Sequence, residues 1–130
     1  MRSAKLVKRN IGVVVATILV LAFARFVVAD PPSDLIVKFD HKEKKLNIEA
    51  MHGTKDVKFH YVREVRVTVN GELVITQKVK SQYDAKMGVF VFVMPDVKEG
   101  DKIDVSADCN IFGSLKKSIE IKAPVPEGVK

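Results

Sequence analysis

At 130 residues the chain has room for one domain and hardly two, and its single cysteine excludes an intramolecular disulfide. A formal charge of +6 and a pI near 9.5 point toward nucleic acid at first sight. Five of the 22 Lys and Arg (Arg2, Lys5, Lys8, Arg9 and Arg25) and none of the 16 acids lie in residues 1–29, however, so the remainder carries 17 bases against 16 acids, too balanced for a nucleic-acid partner.

The first element is a leader. Ile11 to Ala24 is an uncharged run, apolar except for Thr17, behind the positive head Arg2 to Arg9. A basic head before a hydrophobic stretch is the pattern of an export signal, and Val27-Val28-Ala29 makes cleavage before Asp30 plausible. The competing reading is an uncleaved membrane anchor helix from Ile11 to Ala29, long enough for a bilayer core, with Arg25 snorkelling to the surface. In both readings the positive head stays cytoplasmic and residues 30–130 are exported, periplasmic or held at the extracytoplasmic face of the membrane.

Residues 30–34, opening with Asp30-Pro31-Pro32-Ser33, form a stiff linker, because proline fixes φ and restricts its predecessor. The folded domain is expected over 35–122. Leu35, Val37 and Phe39 alternate with polar residues, the charged turn His41 to Lys44 follows, and Leu46, Ile48 and Ala50 alternate on the return. Met51 to Lys58 reads as a loop holding His52, and Phe59 to Val69 as a long strand with Phe59, Tyr61, Val65, Val67 and Val69 in one register, interrupted by Arg63. Asn70-Gly71 is a strong hairpin signal, and Leu73, Ile75 and Val79 return from it. Ser81 to Gly88 is a polar connection, and the wholly apolar Val89 to Met94 suits a strand covered on both sides. Ile103, Val105, Ala107 and Cys109 share one face of the next strand, Lys117 to Lys122 forms the last, and 123–130 is a proline-bearing flexible tail.

Seven short strands without helical periodicity predict an all-β, antiparallel immunoglobulin-like β-sandwich, preceded by the signal or anchor helix. The lysines at 42, 44, 45, 116 and 117 fall in turns and read as solvated surface. Asp101, Asp104 and Asp108 lack the spacing of a calcium loop, and no phosphate loop or serine-nucleophile motif is present.

His41, His52, His60 and Cys109 are the soft or borderline metal donors, a set suited to zinc, copper or iron. Cys109 ends an inward-facing register where a strand hands over to the turn Asn110 to Gly113, and His52 and His60 flank one sandwich end. If those ends coincide, His52, His60 and Cys109 converge on one metal site. The alternatives are a buried structural thiol, a reactive one, or a thiol paired between chains of a homo-oligomer.

Cys109-Asn110-Ile111-Phe112-Gly113 resembles the Cys-Asn-X-His-Gly segment of the desulfoferrodoxin and superoxide reductase family, and His52 with His60-Tyr61-Val62 resembles its His…His-Tyr-Ile segment. The likeness spans about residues 35–122. It implies a β-sandwich whose iron, held by four imidazoles and an axial thiolate, gives an electron to superoxide. Carried over by position, His52 and His60 match two equatorial ligands and Cys109 the axial one. Phe112 stands where the motif has a histidine and would put an apolar ring into the ligand sphere; Asp30 to Leu35 lacks the family's Lys-His pair, and His41 sits in the wrong turn to substitute. The spacing from His52 to His60 is also two residues longer than usual. The resemblance thus implies a desulfoferrodoxin-like protein that kept the fold and lost or altered its iron site, without superoxide reductase activity, holding iron, zinc, copper or no ion through a Cys/His remnant. The alternative function is a non-catalytic binding or assembly module of a periplasmic or membrane complex, with a protein partner. A sulfur carrier ranks behind both, because no cysteine lies on a flexible tail.

Overall fold

The computed structural model describes residues 30–126 and Gly128; the leader expected over 1–29 lies outside them. Seven strands follow in order: β1 (Asp34–Asp40), β2 (Lys45–Met51), β3 (Val62–Val69), β4 (Glu72–Lys78), β5 (Met87–Val93), β6 (Lys102–Cys109) and β7 (Ser114–Glu120). All pairings are antiparallel, in a three-stranded sheet ordered β1-β2-β5 and a four-stranded sheet ordered β4-β3-β6-β7. One strand departs from the constant-type immunoglobulin arrangement: β4 pairs with β3 instead of joining the sheet of β5.

The two-residue side-chain period builds the core. Leu35, Leu46, Ile48 and Ala50 from one sheet meet Val62, Val65, Val67, Ile103, Val105 and Ala107 from the other, and all are buried. Asn70 and Gly71 take φ of 51° and 86°, as the expected tight hairpin requires.

Three expectations are corrected. Val89 to Met94 is not covered on both faces. Up to Val93 it lies in β5, an edge strand of the three-stranded sheet, with Gly88 and Phe90 facing inward while Val89, Val91 and Val93 stand 37%, 52% and 65% exposed. An unbroken apolar run hides this alternation, because periodicity is invisible when both faces are apolar. The long strand from Phe59 begins only at Val62, since residues 57–59 form a turn and Phe59 is exposed. Between Val62 and Glu64 the β3–β6 register slips, because Val62 pairs with Cys109 and Glu64 with Asp108, which leaves Arg63 as a bulge. That single extra residue inverts the register, so Val62 faces the core in the place expected for Tyr61 and Arg63. Finally, the last strand begins at Ser114 and ends at Glu120, earlier than expected at both ends.

The stretch 30–34 lies docked on the body. Pro32 is fully buried, Asp30 N–H donates to the Phe112 carbonyl (3.2 Å), and Ser33 N–H donates to the Met51 carbonyl (2.7 Å). Residues 123–126 carry no regular structure.

Candidate metal centre

Three segments meet at one end of the sandwich. β6 delivers Cys109 as the last residue of its inward face, so strand period alone turns the sulfur toward the interior. His52 follows the last residue of β2, and its N–H donates to the Lys86 carbonyl (2.8 Å), fixing the exit from the sheet. His60 ends the turn made by residues 57–59. Asp56 shapes that turn: its Oδ1 accepts from the N–H groups of Lys58 and Phe59, and its carbonyl accepts from His60 N–H.

One ligand atom from each of His52, His60 and Cys109 falls within a cluster whose members all lie within 4.8 Å of one another. His60 Nε2 is 3.1 Å from Cys109 Sγ, and the two imidazoles stand edge to face, centroids 4.5 Å apart at 81°. His52 and Cys109 are buried and His60 is half-buried. The Ile111 N–H points at Sγ from 3.4 Å and so helps to fix the position of the sulfur.

Two further residues hold this geometry. Gln82, buried in the connection before β5, accepts at Oε1 from Val62 N–H (3.1 Å) and donates from Nε2 to the carbonyls of His52 (2.7 Å) and Asp84 (2.9 Å). Those three bonds fix which end of the amide is oxygen. The 2.9 Å contact of His52 Nδ1 with Oε1 is therefore a donation from Nδ1–H, which leaves the Nε2 lone pair for the site. Asn110 locks the turn after Cys109 to the one carrying His60: Oδ1 accepts from Tyr61 N–H (2.8 Å), Nδ2 donates to the Phe59 carbonyl (2.8 Å), and its own N–H donates to the Tyr61 carbonyl (3.0 Å). A polar residue inside a polar loop leaves no periodic signal, so Gln82 was silent in sequence; Asn110 was visible as a turn former and in the Cys-Asn segment, but not as the link to the His60 turn.

His41 lies in the β1–β2 turn, at the other end of the sheet from His52, with its ring edge-on to Phe39. The Phe112 ring, expected in the ligand sphere, is 53% exposed; what Phe112 brings to the site is its carbonyl, which holds Asp30. A cleft of about 380 Å³ bounded by Gly53, Phe59, His60 and Ile111 opens beside His60. A larger one, about 480 Å³, lies at the far end among Val69, Val93, Pro95 and Asp101, away from the imidazoles and the thiol.

No protein-family model matches the chain, and no curated protein matches it at a significant level. Among solved structures it is similar to a superoxide reductase (1Fe-SOR) from Giardia intestinalis, with a TM-score of 0.52 and 18% sequence identity, over 67% of this chain and 95% of that one. The chain therefore has a superoxide-reductase-like fold, in keeping with the resemblance of its Cys109 and His60 segments.

Proposed function

We propose that this is an exported protein that uses the superoxide-reductase fold to hold one transition-metal ion between His52, His60 and Cys109, without the reductase activity of a four-imidazole centre. One observation carries the reading: three donors from three separate segments converge within 4.8 Å, and a buried glutamine orients one of them. The chain has three histidines and His41 is at the far end, so a square of four imidazoles is not available from one chain. Two imidazoles and a thiolate suit zinc or copper(I) better than a six-coordinate iron. Such an ion supplies Lewis acidity or, for copper or iron, a one-electron couple. The chain's own part is to hold Sγ in place through Ile111 N–H, to free His52 Nε2 through Gln82, and to leave the His60 edge open to the cleft.

Elemental analysis and the visible spectrum of the purified protein test this. About one ion per chain, lost in Cys109→Ala, is the expected result; no bound ion after both aerobic and anaerobic preparation would overturn it.

The assembly-module reading is favoured by the outer face of β5, where Val89, Val91 and Val93 stand in a row on an edge strand with no charged residue. Val91→Lys should abolish recovery of a partner in pull-downs, and an unchanged partner set would rule this face out.

A further inference from the structure

We infer that Asp30 is the fourth ligand of this centre, completing a set of two imidazoles, one thiolate and one carboxylate around a four-coordinate ion; this rests on the metal-binding reading above. Asp30 touches both imidazoles at their site-facing nitrogens. Its carboxylate Oδ2 lies 3.3 Å from His60 Nε2, and its main-chain carbonyl oxygen lies 3.2 Å from His52 Nε2. The second contact is informative, because Gln82 already takes the His52 proton at Nδ1. With Nδ1 engaged by Gln82, His52 Nε2 and the Asp30 carbonyl oxygen are brought together at the face of the cluster.

The distances fit. In a tetrahedral site with metal–nitrogen and metal–oxygen bonds of about 2.0–2.2 Å and a metal–sulfur bond of about 2.3 Å, neighbouring ligand atoms lie about 3.4–3.6 Å apart. His60 Nε2 is 3.1 Å from Cys109 Sγ and 3.3 Å from Asp30 Oδ2, within a few tenths of an ångström of that spacing, while the three-donor cluster, which extends to 4.8 Å, draws in around the ion. Charge fits as well. A thiolate and a carboxylate balance a divalent ion, whereas the thiolate alone would leave a net positive charge beside two buried side chains, His52 and Cys109.

The segment is built to stay in place. Asp30 N–H donates to the Phe112 carbonyl, Pro32 is buried, and Pro31 packs on Gly113 so closely that a Cβ there would lie 2.9 Å from the Pro31 nitrogen. Gly113 has a φ of 103°, which a glycine adopts freely. The loop that carries Cys109 thus also clamps Asp30 across the site, and the carboxylate, more than half exposed, forms its solvent side.

Cobalt(II) titration of the full-length protein tests the assignment, with charge-transfer intensity as a readout independent of any activity. The wild type should bind one cobalt(II) ion with four-coordinate visible bands and one thiolate-to-cobalt band. Asp30→Ala should weaken cobalt binding at least about 10-fold, and Asp30→Cys should raise the thiolate-to-cobalt intensity about twofold by adding a second sulfur. Unchanged affinity in Asp30→Ala would overturn the inference while leaving the three-donor site intact. Weakened affinity in Asp30→Ala with no added intensity in Asp30→Cys would make Asp30 a hydrogen-bond partner of His60 only, and would overturn it too. Failure of the wild type to take up cobalt(II) would remove the metal reading itself.

Discussion

Removing the Cys109 sulfur and removing the Gln82 amide should have different consequences, because one is a donor and the other only aims a donor. Cys109→Ala takes away the only thiolate of the chain, so any thiolate-to-metal absorption should vanish while the fold survives loss of one small inward group. Gln82→Ala should act on both fold and metal. It leaves Val62 N–H, the His52 carbonyl and His52 Nδ1 without their buried partner, a cost of about 1–3 kcal/mol in stability. It also frees the His52 ring, which should weaken metal binding about 10–100-fold. Thermal melts and metal titration of the same variant measure both effects; an unchanged affinity would show that Gln82 does not orient a ligand.

At the scale of elements, two loops and one strap make the site, and Gly113 is where they touch. Gly113→Ala would place a side chain at positive φ and against Pro31, so one of them must move, at about 1–3 kcal/mol. The variant should lose metal affinity along with stability, because the displaced strap carries Asp30; full retention of affinity would contradict that coupling. Elements also show what the sequence could reveal. The alternation Ile103, Val105, Ala107, Cys109 placed the sulfur at an inward strand end, and the structure has it there. The bulge at Arg63 was hidden, since a one-residue slip changes no composition, yet it decides that Val62 faces inward, not Tyr61. The roles of Asp30 and Gln82 were hidden for another reason. Both depend on contacts with residues distant in sequence, which no local pattern encodes.

For the whole molecule, stability divides between a core common to both sheets and a set of hydrogen-bonded carboxylates. Ile48→Ala should cost about 2–5 kcal/mol by leaving a cavity between the sheets, read as a lower denaturation midpoint. The acid limit is set elsewhere. Asp101 is held below the usual carboxylate range chiefly by the Asn70 side-chain amide, then by Lys98 N–H; Asp104 chiefly by the Ser118 hydroxyl; and Asp40 chiefly by Glu43 N–H. Folding favours the ionised form of all three, so their stabilisation is present above the unfolded value of about 3.9 and is lost as pH falls through the lower folded values. Melting temperature should therefore drop steeply in that acid range, and Asp101→Asn should flatten part of the drop; a melting temperature independent of pH there would contradict it. The seven-stranded antiparallel sandwich was legible in the strand runs, and the Asn70-Gly71 hairpin put β4 beside β3, whereas the superoxide-reductase likeness was carried by the Cys109 and His60 segments and not by periodicity. What the molecule does depends on whether its thiolate and imidazoles share an ion. X-ray absorption at the edge of the metal bound to the purified protein decides this most directly: the account predicts one sulfur at about 2.3 Å with nitrogen or oxygen at about 2.0–2.2 Å, and a shell of nitrogen and oxygen without sulfur would contradict it.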